Sequence, residues 1–485
     1  MLKIDFGMRQ TLQDVAATRR IEAATQATLA PHTLMQRAGL AVAQLALAIA
    51  PHARCIWLAC GPGNNGGDGL EAAMHLQRWG KSTVVTWLGS VEKSPVDAVA
   101  SYWRAMEAGV TFSEVPPANF DFCVDALMGI GAQVREPEAL MVEWITLMNA
   151  GMTSLLAVDI PTGLQADTGR ASENCVKATH TLSLLTLKPG LFTANGRDAA
   201  GALWLDNLGE GHPRFVDEEA PTAWLSGEPL SASRLHASHK GSFGDVAIIG
   251  GALGMTGAAL LAATAALSAG AGRVFVGLLD GGKLTVDTSQ PELMFRTLND
   301  LDFSGITVVC GCGGGHGLHN LLSKVLSSPA PVVIDADAIN TIAKDQQLQT
   351  LLSARSQHAK ITVLTPHPLE AARLLGITAQ AVQNDRLNSA HQLVLKFGCT
   401  VVLKGSGTVI AAPGEIPAIN PTGNARLATA GTGDVLAGMV GARLATGMPA
   451  FQAASQAVYR HGQLADQWPV ALPLTAGRLS RSLLI

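Results

Sequence analysis

Polar side chains that could bind a cation follow three apolar runs in the first half of the chain. They are Asn64, Asn65 and Asp68 after CIWLAC, Asp125 in VDALMGIGAQVR, and Asp159 with Thr162 in VDIPTGL. If the runs are parallel strands, their carboxyl ends meet in one crevice of the sheet. Neutral amide and hydroxyl oxygens beside a carboxylate suit a hard, weakly charged cation. Each aspartate alone has a structural alternative, because Asp at a strand end is often a helix N-cap or turn residue.

The second half carries an aspartate, a lysine and a histidine in settings that favour phosphate and proton chemistry. Asp434 follows Gly-Thr-Gly at 431–433 and opens an apolar helix, so backbone N–H groups there can bind an anion while the carboxylate deprotonates a substrate. Lys404 ends the run VVLK before a Gly/Ser turn, which favours a nucleotide phosphate. His367 lies between two prolines that stiffen its backbone. The alternatives are a turn with a helix N-terminal charge, and a structural histidine.

These side chains need buried parallel strands to hold them in place. The runs CIWLAC, STVVTWLG, FDFCVDAL, TSLLAVDIP and THTLSLLTL alternate with helical patterns and predict a doubly wound parallel sheet. A second α/β series contains GDVAIIGG, GRVFVGLL, ITVVCGCG, PVVIDAD, ITVLTPHP and TVVLKGSG. Between them, residues 207–233 are polar and rich in Pro and Gly. The sequence therefore predicts two α/β domains, at 1–215 and 225–485.

The glycines of GPGNNGGDG (61–69) predict a turn that leads into the helix LEAAMHLQRWG. Gly61, Gly63 and Gly66 match the dinucleotide-binding pattern G-x-G-x-x-G. The next predicted strand ends without the acid that would hold a ribose hydroxyl, and the Walker pattern is absent. Classical NAD binding at this turn is therefore disfavoured.

Composition limits the class of protein. The chain has 485 residues, 48% hydrophobic, with 51 glycines and a net charge of −4, which favours large α/β domains and disfavours a nucleic-acid partner. Seven scattered cysteines predict buried thiols in a reducing compartment. Charges in the first 20 residues disfavour a signal peptide. A cytoplasmic location is therefore expected. The uncharged stretch 247–272 could span a membrane, but its glycines divide it into strand, turn and helix.

The motifs of the first half, GPGNNGGDG, DALMGIG and VDIPTGL, resemble those of the NAD(P)H-hydrate epimerase family, whose fold is Rossmann-like. The resemblance implies a potassium ion on Asn65, Asp125 and Thr162, and Asp159 as the acid/base that interconverts the two C6 epimers. It implies a substrate site formed by Asp159 and by Asn64, Asn65, Gly66, Gly67, Asp68, Gly129, Ile130, Gly131, Ala132, Gln133, Val134 and Arg135. Lys188 is a weaker candidate for anchoring phosphate. Thr162 stands where Ser is usual, and GAQVREP is a divergent loop.

The motifs of the second half, NPTGNARLATAGTGDVLAGMV, LTPHPLEAARLL, VVLKGSGTVI, VVIDADAIN and CGCGGGHG, resemble those of ribokinase-like ADP-dependent NAD(P)H-hydrate dehydratases. The resemblance implies Asp434 as the catalytic base, and substrate contacts from Ala258, Gly315, His367 and Asp434. It implies that AMP or ADP is held by Lys404, Gly405, Ser406, Gly407, Thr408 and Gly433. Cys312, Gly314 and Leu369 depart from the usual motifs.

Together the resemblances imply a two-domain enzyme, Rossmann-like then ribokinase-like, that repairs hydrated nicotinamide nucleotides. It would interconvert R- and S-NAD(P)H hydrate (NADHX and NADPHX) with K⁺, and dehydrate the S epimer with ADP and Mg²⁺; the family allows a homo-oligomer. One alternative is a ribokinase-like small-molecule kinase with a regulatory nucleotide-binding N-terminal domain. Another is a nucleotide-sensing scaffold without activity. The sequence does not distinguish NADH from NADPH hydrate or ADP from ATP.

Overall fold

The chain folds into two compact α/β units in the computed structural model, which describes residues 1–132, 136–151, 153–209, 219–230 and 235–483. The first unit contains Met1–Asp5 and Thr11–Ala223, and the second contains Phe6–Gln10 and Trp224–Ile485. A short N-terminal segment thus belongs to the unit that the C-terminal half forms. The predicted α/β class is confirmed in both units, whereas the domain limits 1–215 and 225–485 stay predictions.

The N-terminal part of the chain alternates strands with helices, as its apolar runs predict. Its elements are β1 Leu2–Lys3, β2 Gln10–Leu12, α1 Val15–Gln26, α2 Thr33–Ile49, β3 Cys55–Cys60, α3 Asn64–Arg78, β4 Ser82–Trp87, α4 Val96–Glu107, β5 Thr111–Phe112, β6 Phe122–Ala126, α5 Ala139–Ala150, β7 Ser154–Val158, β8 His180–Leu184, α6 Gly196–Ala200 and β9 Ala202–Asp206.

The first sheet has the strand order β1-β9-β8-β7-β6-β3-β4-β5. Its pairs are parallel except β1 with β9. The chain runs outward from β3 to β5 and returns to β6 on the other side of β3, so β3 and β6 flank the point where the strand order reverses. Open α/β sheets bind ligands at the carboxyl ends of such strands. A Cβ at Gly61 would lie 1.8 Å from the Leu127 oxygen, so glycine is needed where the two loops meet.

Helix α3 begins at Asn64, so the prediction of a turn through residue 69 is wrong. Glycine costs a helix about 1 kcal/mol relative to alanine, but here close packing depends on it. A Cβ at Gly67 would meet Ala98 at 2.9 Å, and a Cβ at Gly69 would meet Cys60 Sγ at 2.7 Å. Tertiary packing therefore outweighs the local preference of the glycines.

The C-terminal part of the chain forms the second α/β series. Its elements are β10 Ala223–Leu225, β11 Asp245–Gly250, α7 Thr256–Ser268, β12 Arg273–Leu278, β13 Met294–Phe295, β14 Thr307–Cys310, α8 His319–Ser327, β15 Val332–Ile334, α9 Ala336–Lys344, α10 Gln346–Gln357, β16 Thr362–Leu364, α11 Pro368–Leu375, α12 Ala379–Asn384, α13 Arg386–Phe397, β17 Thr400–Leu403, β18 Val409–Ala411, β19 Ala418–Ile419, α14 Thr432–Ala445, α15 Ala450–Asp466 and α16 Ala476–Arg481.

The second sheet repeats the reversal of the first. Its strand order includes β13-β12-β11-β14-β15-β16-β17-β18-β19-β10, and β18 pairs antiparallel with both β17 and β19. The chain runs from β11 out to β13 and returns to β14 beside β11. A Cβ at Gly250 would lie 2.1 Å from the Cys312 oxygen, so the loops after β11 and β14 also meet through glycine. Strand β10 lies within the stretch predicted as a boundary, and its Trp224 and Leu225 pair in parallel with β19.

Both sheets are buried on both faces. Alternate residues of β3 enter different cores, with Ile56 and Leu58 on one face and Trp57 and Ala59 on the other. Buried parallel strands of this kind read as continuous apolar runs, which is why the sequence locates them well.

Two further expectations concern cysteines and membranes. All seven cysteines are free thiols, and all except Cys55 are buried. Residues 247–272 form most of β11, a turn and helix α7, as predicted. Within the described part of the chain, no helix combines the length and apolar character needed to cross a bilayer.

Candidate active sites

A cavity of about 490 Å³ lies at the carboxyl edge of the first sheet. The loops that follow β3, β6, β7 and β8 contribute to its wall, as does helix α1. Of the predicted residues, those that line it are Asn64, Asn65, Asp68, Gly129, Ile130, Gly131, Asp159 and Lys188. Three separate sequence motifs thus meet in one cavity.

Asp159 and Lys188 form an ion pair at this edge. Asp159 follows β7 with a positive φ of 67° and is 7% exposed. The Lys188 ammonium donates to Asp159 Oδ1, to Ser183 Oγ at 3.2 Å and to the Leu184 carbonyl at 2.8 Å. Lys188 is fully buried, and three acceptors use all three of its N–H groups. It therefore positions Asp159, and its suggested role as a phosphate anchor does not fit this geometry.

Asp125 and Thr162 form a second buried pair. Thr162 donates from its hydroxyl to Asp125 Oδ1 at 2.7 Å and from its backbone N–H to Asp125 Oδ2 at 2.8 Å. Burial raises the pKa of Asp125 to about 6, although these hydrogen bonds favour its charged form. The Met128 N–H donates to the Thr162 hydroxyl at 3.0 Å, which ties the pair to the loop after β6.

Asn65 lies against that same loop. A Cβ at Gly129 would be 3.1 Å from Asn65 Oδ1. Asn65 Nδ2 is buried and has no hydrogen-bond partner among the described residues. The amide oxygen and nitrogen of Asn65 exchange places when the amide group flips by 180°. The oxygen can therefore occupy the position that has no hydrogen-bond partner. Amide, hydroxyl and carboxylate oxygens are the donors that a hard cation takes, so the three residues fit potassium chemically.

Other predicted residues of the first site have different surroundings. Gly66 and Gly67 do not line the cavity; a Cβ at Gly66 would lie 1.9 Å from the Gly61 oxygen, and Gly67 packs on Ala98. The backbone of Ala132 ends a short 3₁₀ turn that begins at Ile130. Gln133, Val134 and Arg135 lie outside the described residues.

The first cavity contains acids that the motifs did not reveal. Glu22 on α1 and Asp97 on α4 line it together with Asp68. Burial, followed by Asp159 and Glu22, raises the pKa of Asp68 well above its usual range. Glu22 lies in no recognisable sequence motif. The only feature of the sequence that could have indicated it is the row of polar residues at helical spacing in α1.

The second site lies where β15, β17 and α14 approach one another. Lys404 donates to Asp335 Oδ1 at 2.7 Å, and the Thr365 hydroxyl donates to the same oxygen at 2.7 Å. Burial disfavours the charge of Lys404, but Asp335 and Glu370 outweigh it and raise the pKa. A Cβ at Gly433 would be 3.4 Å from Lys404 Nζ. The ammonium therefore lies beside the first turn of α14.

Asp434 lies in this first turn, beside Cys312 and Asp335. One ligand-type atom from each of the three residues lies within 4.8 Å of the others. Burial, followed by the charge of Asp335, raises the pKa of Asp434 to about 6. Burial also raises the pKa of the Cys312 thiol well above its usual range, which disfavours a thiolate nucleophile.

His367 is the N-cap of α11, and its ring takes part in a capping box. The N–H groups of Leu369 and Glu370 donate to His367 Nδ1, at 3.1 Å and 3.3 Å, and His367 N–H donates to Glu370 Oε2 at 2.8 Å. Burial, with a further contribution from Lys404, lowers the pKa of His367, and burial raises the pKa of Glu370 to about 7. The contacts of His367 in this structure are therefore those of a structural N-cap. Its ring is about half exposed and remains accessible to a ligand.

The predicted nucleotide turn, Lys404 to Thr408, connects β17 to β18. The Thr408 hydroxyl donates to the Gly405 carbonyl at 3.1 Å, and Gly405 has a φ of 138° that glycine tolerates. Beneath the turn, Arg386 donates to the carbonyls of Leu403 at 3.0 Å and Lys404 at 3.2 Å. Ser406 and Gly407 complete the turn.

Ala258 and Gly315 lie beside the reversal point of the second sheet. A Cβ at Gly313 would be 2.9 Å from Ala258 Cβ. The Gly315 N–H donates to Asp337 Oδ2 at 3.0 Å. Sequence reasoning missed Asp335 and Thr365 as members of this site, although Asp335 directly follows the buried strand β15.

Two family models match the chain, one for each unit. The model described as YjeF-related protein N-terminus matches residues 31–190, and the model described as NAD(P)H-hydrate dehydratase matches residues 246–481. The first matched segment contains Asp125, Asp159 and Lys188, and the second contains Asp335, Lys404 and Asp434.

Relatives extend this similarity along most of the chain. A bifunctional NAD(P)H-hydrate repair enzyme of Escherichia coli (strain K12) is 36% identical over 458 residues, 92% of this chain and 87% of the relative. An ADP-dependent (S)-NAD(P)H-hydrate dehydratase of Neisseria meningitidis serogroup B (strain ATCC BAA-335 / MC58) is 42% identical over 255 residues, 51% of this chain and 85% of the relative. Among solved structures, an ADP/ATP-dependent NAD(P)H-hydrate dehydratase from Bacillus subtilis, co-crystallized with ATP/Mg²⁺, is 29% identical to this chain. The match covers 52% of this chain and 91% of that structure, with a TM-score of 0.43. The chain belongs to the family of bifunctional NAD(P)H-hydrate repair enzymes.

Proposed function

We propose that the two sites divide the work of this NAD(P)H-hydrate repair enzyme. The cavity of the first unit interconverts the R and S hydrates, and the site at Asp434 dehydrates the S hydrate to NADH or NADPH at the expense of ADP. The observation that carries this division is that each unit holds its own carboxylate and lysine at the carboxyl edge of its own sheet: Asp159 with Lys188, and Asp335 with Lys404 beside Asp434.

The epimerisation needs a group that moves a proton to and from the ring hydroxyl. In this proposal Asp159 is that group, because Lys188 fixes its carboxylate at the wall of the cavity. The hydroxyl at C6 leaves as water when the ring nitrogen donates its lone pair, and water then returns to C6 and gives up a proton. Return to either face of the planar ring produces the two epimers.

The proposal gives Asn65, Asp125 and Thr162 to a potassium ion. Support comes from the buried Asp125–Thr162 pair and from the buried, partnerless amide nitrogen of Asn65 among the described residues. A potassium ion there would supply positive charge next to the loops that hold the substrate. The Asp125 carboxylate balances that charge, and Thr162 keeps Asp125 oriented.

In the dehydratase site, the hydroxide has to become a better leaving group. Asp434 takes the proton of the C6 hydroxyl while that oxygen attacks the terminal phosphorus of ADP, and AMP leaves. Electron donation from the ring nitrogen then expels phosphate, and loss of a proton from C5 restores the dihydronicotinamide ring. The N–H groups at the start of α14 and the Lys404 ammonium stabilise the negative charge.

The proposal takes ADP as the nucleotide, with support from the relative of Neisseria meningitidis, whose name specifies ADP. Lys404 and the turn through Thr408 with Gly433 hold its phosphates in this proposal, and Mg²⁺ would accompany ADP as a phosphate-bound ion. Ala258, Gly315 and His367 contact the hydrated nucleotide. A cytoplasmic location and a homo-oligomer stay predictions.

The test is to incubate the protein with the pure R epimer of NADH hydrate and follow the absorbance of reduced nicotinamide. We expect NADH to form only with ADP, after a lag that reflects epimerisation. The S epimer should react without the lag. A ribokinase-like kinase of another alcohol would leave both hydrates unchanged, and a nucleotide sensor would bind them without turnover.

A further inference from the structure

Helix α1 presents one polar face to the cavity of the first unit. Thr18, Arg19, Glu22 and Gln26 all line that cavity. Thr18, Glu22 and Gln26 follow one another at intervals of four residues, and Arg19 precedes Glu22 by three, which places them on one side of a helix. Val15, Ala17, Thr18 and Ile21 are buried. Helix α1 ends at Gln26, before residue 31, where the family model begins to match. This wall of the cavity is therefore contributed by a segment outside the matched family region.

Hydrogen bonds anchor α1 next to the Asp159–Lys188 pair. The Val15 N–H donates to Asp167 Oδ1 at 2.8 Å, and the hydroxyls of Thr18 and Thr186 are 2.8 Å apart. Thr186 lies two residues before Lys188. Glu22 lies one helical turn after Thr18 on the same face of α1, and both residues line the cavity.

Charged residues on several elements of the first unit interact with Glu22. Asp159 after β7 and Asp68 on α3 repel its carboxylate, and Lys188 after β8 and Arg19 on α1 attract it. Burial, followed by Asp159, raises the pKa of Glu22. A half-buried carboxyl group of this kind keeps its proton at a higher pH than an exposed glutamate and can donate it to a leaving hydroxyl.

We propose that Glu22 is a second catalytic proton-transfer residue of the epimerase and serves the ring face opposite to Asp159. The inference rests on the proposed function of the first unit. When the hydroxyl faces Glu22, the C6–O bond breaks, the Glu22 proton leaves with the oxygen as water, and the nitrogen lone pair forms the N1=C6 bond. Water then attacks C6 from the other face, its electron pair forms the new C–O bond, and Asp159 takes its proton. The reverse path uses the same groups in exchanged roles.

Oxygen exchange with solvent tests this assignment. Each pure epimer of NADH hydrate is incubated with the full-length protein in H₂¹⁸O without ADP, and mass spectrometry with chiral separation measures exchange and inversion. Wild-type protein should exchange and invert both epimers. Glu22→Gln should slow inversion at least about tenfold, and slow exchange of one epimer much more than exchange of the other. Asp159→Asn should show the opposite preference.

Controls separate this role from a structural one. Glu219→Gln makes the same chemical change at a residue that pairs with Arg20 on α1, and both exchange rates should stay at wild-type values because exposed ion pairs contribute little. Dehydration of the S epimer with ADP should be unchanged in all variants. Equal slowing of exchange of both epimers, or wild-type inversion in Glu22→Gln, would overturn the role of Glu22 alone. Wild-type protein that exchanges neither epimer above the spontaneous rate would refute the proposed epimerase as well.

Discussion

The carboxyl group of Asp434 has to be ionised before it can accept a proton from the substrate. Since burial and Asp335 raise its pKa to about 6, the base is lost as the pH falls through that value. We therefore expect kcat/KM for the S hydrate to fall about tenfold per pH unit well below 6. The measurement is the initial rate of NADH formation with saturating ADP across this pH range.

Asp434→Asn should lower this rate by roughly a hundredfold or more, since the amide keeps the shape but cannot accept a proton. The remaining activity should no longer depend on pH near 6. A variant that kept both the wild-type rate and the wild-type pH profile would remove Asp434 from the reaction.

Asp125 provides the only carboxylate of the proposed potassium site. Asp125→Ala should abolish the dependence of epimer interconversion on potassium, because only neutral oxygens would remain. Thr162→Ser should be nearly silent, since the hydroxyl and its hydrogen bond to Asp125 survive. Because the pKa of Asp125 is raised to about 6, the wild-type response should also weaken as the pH falls through 6, where a proton competes with the ion.

The measurement is the interconversion rate against potassium concentration, with sodium used to hold ionic strength constant. Dehydration of pure S hydrate is the internal control and should not change. An Asp125→Ala protein with a wild-type potassium response would mean that Asp125 acts only as a structural hydrogen-bond acceptor for the loop.

At the scale of elements, helix α3 depends on glycines at specified positions. Gly66→Ala would place a Cβ 1.9 Å from the backbone oxygen of Gly61. The helix gains about 1 kcal/mol in propensity, but overpacking of a tight contact costs about 1–3 kcal/mol or more, and backbone atoms cannot move aside. We expect a lower Tm and a weaker epimerase.

Gly63→Ala is the matched control for stability, because a Cβ there has nothing within 4 Å and the φ is −96°. Its free energy of unfolding should change by less than about 1 kcal/mol. Equal Tm values for the two alanine variants would contradict the view that α3 packs through Gly66.

The predicted nucleotide turn, Lys404 to Thr408, is held in place by hydrogen bonds from the side chain of Arg386. Arg386→Lys should raise KM for ADP more than KM for S hydrate, because a lysine cannot replace the guanidinium under the carbonyls of Leu403 and Lys404. Initial rates with each substrate varied in turn measure the two constants. Arg355→Lys is the matched control: Arg355 is a buried arginine that donates to the carbonyls of Leu326, Ser328, Ala330 and Ile361.

Arg355→Lys should lower the Tm without selectively raising KM for ADP. If both variants raised the two KM values together, loss of folded protein would explain the effect, and Arg386 would have no special connection with the nucleotide.

At the scale of the whole molecule, two units with separate catalytic carboxylates should complement each other in trans. Asp159→Asn should still dehydrate S hydrate, and Asp434→Asn should still interconvert the epimers. A mixture of the two variants should convert R hydrate to NADH, because S hydrate released by one protein can diffuse to the other. The assay is NADH formation from pure R hydrate at several concentrations of the mixture.

Each variant alone should fail to convert R hydrate above the spontaneous epimerisation rate. A mixture that stayed inactive, although each protein kept its own remaining activity, would contradict free release of the S hydrate.

The sequence located the sheets because their strands are buried on both faces and read as continuous apolar runs, such as CIWLAC and DVAIIG. It also indicated the family, since the motifs GPGNNGGDG and GTGD carry residue types in a fixed order. It did not predict that Asn64–Gly69 is helical, because local glycine preference opposes a helix and contacts with distant residues decide the outcome.

Sequence alone therefore determined the two α/β units, the family and the motifs that contribute Asp125, Asp159, Lys404 and Asp434. Tertiary structure alone decided which other side chains join them. Lys188 is paired with Asp159, Asp335 is paired with Lys404, and Glu22 enters the first cavity from a helix with no motif. The physical reason is that burial and electrostatic pairing depend on distances between segments far apart in the chain, which residue spacing does not specify.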